Sequence, residues 1–168
     1  TGVQIPLPAL MTTHATLCYI IKNGKILLIK KKKGLGAGVW NGPGGKIESG
    51  ESVQDCAKRE TYEEVNVVPE APQKVGELRF YFGDSYKIDW FVHVFVADDF
   101  DGIEKETDEA APKWFHLEQI PYHEMWPDDK LWMPLMLEGK KFTGSFYYDK
   151  DAKELLDHEL EEIGGEWK

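Results

Sequence analysis

The stretch that most constrains this chain runs from Gly45 to Val67, GKIESGESVQDCAKRETYEEVNV. Ser52 stands three residues before Asp55, the signature of a helix N-cap with its capping box. No Gly or Pro interrupts Val53–Val65, and Val53, Cys56, Ala57, Thr61 and Val65 recur at helical spacing. A helix over these residues puts Glu60 and Glu64 one turn apart, with Glu63 between them on the same side. Three carboxylates then crowd one face near the helix C-terminus, the unfavourable end of the macrodipole for anions. A bare E-x-x-E-E run reads as a solvated acidic face. A cluster held together needs a compensating cation, and hard oxygen ligands suit Mg2+ or Mn2+. Arg59 is the nearby helix cation and can brace the site by pairing with Glu51.

Length and charge bound what such a helix can belong to. The chain has 168 residues, enough for one domain with a sizeable core. Its net charge of −10 argues against binding bulk nucleic acid, which calls for a basic surface, yet permits a small anionic substrate held through metal ions. Cys18 and Cys56 lie far apart, so a disulfide framework is not expected and a reducing, cytoplasmic setting is the default. The apolar run near Leu17–Ile29 is broken by Lys22, Asn23 and Lys25, so no membrane partner is expected. Residues 1–10, TGVQIPLPAL, lack a charged n-region; they read as an artificial remnant or a flexible N-terminus before a natural start at Met11, with residues 11–168 forming one domain.

Along the chain, Thr16–Ile21 and Lys25–Ile29 flank Asn23-Gly24, a hairpin signal. Lys30–Lys33 follow; most read as a solvated strand end, and Lys31 is a candidate to face a phosphate. Six glycines between Gly34 and Gly45 imply tight turns or close backbone approach to a ligand, without the G-K-[ST] of a Walker loop. Lys74–Phe82 and Asp89–Val96 read as strands, with Phe80 and Phe82 on one face and Trp90, Val92 and Val94 on one face: core by default, an aromatic wall for a flat ligand otherwise. Asp98–Glu109 reads as acidic and turn-like, and Lys113–Leu117 as a short strand. Asp128 can cap a helix through Leu137 that kinks or restarts near Pro134. Phe142–Tyr148 reads as a strand. Periodicity over Glu154–Ile163 slightly favours a helix.

Gly45, Glu51, Arg59, Glu60, Glu63 and Glu64 together resemble the Nudix box, G-x5-E-x7-R-E-U-x-E-E-x-G-U, where U is bulky and apolar. Thr61 stands at the first U, and Asn66 replaces the last Gly, a mild change because Asn tolerates the left-handed conformation. The segments KKKGLGAGVWNGPGGKIESGE, KVGELRFYF, HVF and WFHLEQIPYHEMWPDDKLWMPLMLEGKKFTGSFYY extend the likeness over roughly residues 12–163. They resemble the oxidised-purine nucleoside triphosphatase branch of the Nudix hydrolases. The resemblance implies an α+β Nudix fold, an α/β/α sandwich around a mixed β-sheet, and makes the tail a strand paired with Phe142–Tyr148. It implies Mg2+-dependent (Mn2+ possible) cleavage of oxidised purine nucleoside triphosphates such as 8-oxo-dGTP to the monophosphate and pyrophosphate, by a monomer.

Carried over residue by residue, Glu60, Glu63, Glu64, Glu109 and the Gly44 carbonyl match metal ligands. Glu51 and Arg59 complete the catalytic set, and Glu63 and Glu109 are both candidates for the general base. Thr16, Asn41, Phe80, Phe82, Trp90, Trp126, Asp128 and Asp129 map to the base pocket, with Lys31 beside the phosphates. Trp126 offers a stacking face, and Asn41 a donor and an acceptor. Leu35 stands where the family has an aromatic residue and Trp90 where it has Met. Hydrolysis of another nucleotide and a non-catalytic nucleotide-binding module are the competing readings.

Overall fold

Asn23 and Gly24 both take left-handed backbone angles, φ 53° and 74°, and so close a tight turn between β1 (Thr13–Lys22) and β2 (Lys25–Lys31). The computed structural model describes residues 12–165 and Trp167; the stretch 1–10 and Met11 lie outside the described residues. The chain continues through β3 (Trp40–Asn41), β4 (Gly44–Lys46), α1 (Val53–Val65), β5 (Val67–Pro69), β6 (Gln73–Phe82), β7 (Trp90–Ala97), β8 (Phe100–Gly102) and β9 (Ala110–His116). Two short 3-10 turns lead to α2 (Asp129–Leu137), β10 (Lys141–Tyr148) and β11 (Leu155–Ile163).

The main sheet is mixed, in the order β11-β10-β6-β7-β1-β2-β3, with β4 also on β1 and β9 also on β2. β1 pairs in parallel with β7 and β6 with β10; the other pairs are antiparallel. Period-two alternation sends the residues of β1 to opposite faces. Cys18 and Ile20 pack with Ala57 and Val65 of α1, while Ala15 and Tyr19 pack with Trp132, Met133 and Met136 of α2. A helix on each face gives the layered α+β arrangement around a mixed sheet. The α2 side carries the larger apolar load, with Trp132, Tyr19, Phe142, Phe146 and Leu78 all fully buried. Each such side chain contributes about 1.5–3 kcal/mol of transfer free energy.

Three expectations change. The segment 98–109 is not all turn: Phe100–Gly102 forms β8, which pairs with β5. The strand expected at Lys113 begins at Ala110 and includes Pro112, registered on Ile29. α2 runs through Pro134 to Leu137 without a break. The tail is the strand that the resemblance implies, with Gly144 opposite Leu160; pairing its backbone with β10 outweighs the slight helical periodicity. The turn before it is built locally: Asp149 Oδ1 accepts from the backbone N–H of Lys153 and Glu154. Among the described residues no helix is long and apolar enough to cross a membrane.

Candidate active site

The acidic end of the site begins with the local chemistry of α1. Ser52 Oγ accepts from Asp55 N at 3.0 Å, and Asn66, at φ 67°, ends the helix in the left-handed conformation. Thr61 is fully buried and donates to the Ala57 carbonyl at 2.7 Å, which satisfies its hydroxyl in a slot where an apolar side chain would serve. Arg59 donates through Nε and Nη2 to the two oxygens of Glu51, at 2.6 and 2.9 Å. That bidentate pair holds the Glu51 carboxyl at about 2, well below the usual carboxylate range. The same guanidinium reaches Glu60 at 2.8 Å and Glu63 at 3.2 Å, and the Lys46 carbonyl at 3.1 Å.

Glu64 is almost wholly buried and accepts from Gly44 N at 2.7 Å. Burial pushes its carboxyl up to about 8, against the opposing pull of that N–H and of Lys31. Glu60 is raised for the same reason, chiefly desolvation. Two glycines make this packing possible. A Cβ on Gly44 would sit 1.9 Å from the Thr16 carbonyl oxygen, and one on Gly45 would sit 2.3 Å from the Glu60 carboxyl carbon. The close approach seen at these glycines is therefore to the chain's own strand and carboxylate.

Glu60, Glu64, Glu109, Lys31 and Gly44 all line one cavity of about 500 Å³. That volume is in the range of nucleotide-sized ligands. Glu51, Arg59 and Glu63 do not line it. Glu63 is turned outward to Arg59, so the expected triple crowding of α1 carboxylates becomes Glu60 and Glu64 from the helix plus Glu109 from the loop before β9. Among the described residues no three His, Cys, Asp or Glu side chains close on a common point by themselves. The donor set nevertheless fits a hard divalent cation: buried Glu64 and half-buried Glu60 are held at the cost of desolvation, beside Glu109.

The opposite end of the same cavity is aromatic, lined by Phe80, Phe82, Trp90 and Trp126 together with Asn41, Asp128 and Asp129. Trp126 stands edge-on to Tyr148 with ring centres 5.7 Å apart. The Asn41 oxygen is already used, accepting from Gly42 N at 2.8 Å and from the Tyr19 hydroxyl at 3.3 Å. Since Gly42 N–H demands an acceptor, the amide orientation is fixed, and Asn41 offers the cavity a donor only. Thr16 borders the cavity, but its hydroxyl lies 3.3 Å from Cys56 Sγ, under α1.

Asp128 occupies the N-cap position of α2, but its side chain makes no capping bond. The backbone there is already helical, at φ −75° and ψ −24°, and the carboxylate is turned inward. Trp132 Nε1 donates to Asp128 Oδ2 at 2.8 Å, and the Tyr148 hydroxyl donates to Asp128 Oδ1. Asp129 is equally buried, and its Oδ2 has no hydrogen-bond partner. Burial raises both acids, and Asp129 further through repulsion by Asp128. Sequence reasoning missed Tyr148 and Trp132 as holders of Asp128. The available signal was alternation: Tyr148 shares the core-facing set of β10 with Phe142 and Phe146, and a buried phenol needs a partner.

Fold and cavity together define a Nudix-type hydrolase, with an acid-lined cleft at one end of a ligand cavity and an aromatic pocket at the other. Residues 11–136 match the NUDIX domain, and the chain belongs to that family, whose enzymes generally use divalent metal ions. It is 41% identical over 149 residues to an oxidized purine nucleoside triphosphate hydrolase of Danio rerio, and 43% identical over 148 residues to that of Mus musculus. Each alignment covers 88% of this chain and 94% of the relative. Among solved structures, a mutator MutT protein from Bacillus halodurans superposes with a TM-score of 0.77 at 29% identity, covering 88% of this chain and 97% of that one.

Proposed function

We propose that the chain hydrolyses oxidised purine nucleoside triphosphates, 8-oxo-dGTP foremost, to the monophosphate and pyrophosphate. The observation that carries this is one cavity with a carboxylate-lined end and an aromatic, carboxyl-bearing end, in a chain over 40% identical to proteins named for that activity. Glu60, Glu64, Glu109 and the Gly44 carbonyl are the groups to hold Mg2+, which when bound neutralises the triphosphate and acidifies water. Lys31 binds phosphate oxygens beside them. Arg59 and Glu51 keep α1 and the strand before it in fixed relation, so that Glu60 and Glu64 are presented without reorganisation. Glu109 is the better candidate to take a proton from water: it lines the cavity, whereas Glu63 is tied to Arg59 outside it. Trp126 stacks on the base, and Asp128 and Asp129 read its polar edge.

Leu35 and Trp90 change the pocket's shape relative to the branch the chain resembles, so the test is a substrate panel with pyrophosphate detection. A kcat/KM for 8-oxo-dGTP far above that for dGTP is expected. Comparable values would replace this reading with a general nucleotide pyrophosphatase. No Mg2+-dependent release from any nucleotide would leave a binding module.

A further inference from the structure

The buried wall that holds Asp128 and Asp129 includes the Tyr148 hydroxyl, hydrogen-bonded to Asp128. Its geometry fixes where protons lie. Asp128 N–H donates to the Tyr148 oxygen at 3.1 Å, so the phenolic proton is directed to Asp128 Oδ1. An indole N–H can only donate, so Trp132 makes Asp128 Oδ2 an acceptor as well. Both Asp128 oxygens therefore face donors, and this carboxyl has no need of a proton. Asp129 lies beside it, buried to 3% exposure, with an unpartnered oxygen and a place in the cavity lining. A second ionised carboxylate there would face its neighbour without compensation. The other titratable groups bearing on the pair are the phenols of Tyr19 and Tyr122, which stay neutral.

We propose that Tyr148 is a positioning residue for base recognition: by donating to Asp128 it keeps the shared proton on Asp129, so the wall presents its donor and acceptors in one fixed order. This rests on the reading that an oxidised purine nucleotide fills the cavity. A guanine-type edge runs carbonyl, N–H, amino; the edge of 2-oxo-adenine runs amino, ring nitrogen, carbonyl. With the sugar anchored, one order of donors and acceptors fits one of these edges. A proton free to move between the two acids fits both. Tyr148 thus narrows the chain to the guanine type without touching the ligand.

The test is calorimetric binding of the metal-free protein to 8-oxo-dGMP, 2-oxo-dAMP and dGMP, which needs no turnover. Wild type is expected to bind 8-oxo-dGMP at least about tenfold more tightly than 2-oxo-dAMP, a difference of about 1.4 kcal/mol. Tyr148→Phe keeps the ring and removes the hydroxyl; the ratio should fall towards unity, with 2-oxo-dAMP binding gained as 8-oxo-dGMP binding is lost. In an Asp128→Asn background the same substitution should change the ratio by less than twofold, because the carboxylate it acts through is gone. A merely structural role for Tyr148 would weaken both ligands equally and leave the ratio alone, overturning the proposal. So would an undiminished effect in the Asp128→Asn background. If wild type binds dGMP as tightly as 8-oxo-dGMP, the proposed function falls and this inference with it.

Discussion

At the scale of single residues, the cavity separates groups that act on charge from groups that hold the base. Glu64 is the carboxylate most deeply buried at the acidic end, and its side chain accepts from Gly44 N as its only hydrogen-bond partner among the described residues. Glu64→Gln preserves size and removes charge. It is expected to lower kcat by two orders of magnitude or more at saturating Mg2+, about 3 kcal/mol, the scale of losing one key electrostatic group. Thermal melts should show the variant folded, since a buried acid raised by desolvation does not stabilise the helix that carries it. Near-normal turnover would remove Glu64 from the metal set. Trp126 is the converse case. Stacking is present in ground and transition states alike, so Trp126→Ala should raise KM by the equivalent of about 1–3 kcal/mol and leave kcat close to wild type. A fall in kcat at unchanged KM would make Trp126 a structural neighbour of Tyr148 and Gly36 instead.

At the scale of elements, adjacent glycines on β4 separate stability from activity. A Cβ at Gly44 meets backbone, the Thr16 carbonyl of β1, which cannot move without breaking the β1–β4 ladder. A Cβ at Gly45 meets the end of a side chain, Glu60, which can swing away. Gly44→Ala should therefore cost several kcal/mol, of the order of an overpacked core (~1–3 kcal/mol or more), and appear as a lowered melting temperature. Gly45→Ala should melt near wild type but lose turnover as Glu60 is displaced; paired melts and kcat measurements showing the reverse order would refute this. The same elements show what the sequence made legible. α1 could be read to the residue because its cap, its apolar stripe and its left-handed Asn66 are all local signals. The hairpin at Asn23-Gly24 was legible for the same reason. Tail strand β11 was not legible from periodicity, because an edge strand rich in acids has no strong apolar face, and only its pairing with β10 decides its state. β5 and β8, three residues each, escaped notice because neither is stable without the other. At the site, residue types suggested the carboxylates and the aromatic wall. The outward turn of Glu63 follows its local pairing with Arg59 one helical turn away, whereas the occupied oxygen of Asn41 and the inward turn of Asp128 depend on Tyr19 and Tyr148, partners distant in sequence that the fold brings to them.

At the scale of the whole molecule, the buried acids tie stability to pH in two opposite senses. Glu51, lowered to about 2 by Arg59, has a folded value below its unfolded one. Its contribution is present above about 4.3, the ordinary Glu value, and is lost as pH falls towards 2. Asp129 and Glu64 behave oppositely, since burial raises the first well above the ordinary Asp range and the second to about 8. Here the folded state binds the proton more tightly than the unfolded chain. Stability is full below about 4, where both states are protonated, and declines as pH rises until the folded groups also ionise. In the metal-free protein the melting temperature should therefore pass through a maximum at mildly acid pH and fall from there to pH 8. Each group that titrates only in the unfolded state contributes about 1.4 kcal/mol per pH unit, and 1 kcal/mol moves the midpoint of a domain of this size by about 2–4 °C. Melts of wild type and Asp129→Asn at pH 5, 6, 7 and 8, in chelator, isolate the Asp129 share. The Asn side chain never ionises, so the variant should keep the part of the slope due to Glu64 and lose the rest, becoming the more stable of the two at pH 8 relative to pH 5. Divalent ion should flatten the remaining slope, because it binds the ionised carboxylate at the other end of the cavity and so favours the folded state at high pH. A wild-type midpoint that rises from pH 5 to pH 8 in chelator, or parallel curves for wild type and Asp129→Asn, would show that Asp129 is ionised in the folded protein and that the wall reads its ligand with two acceptors.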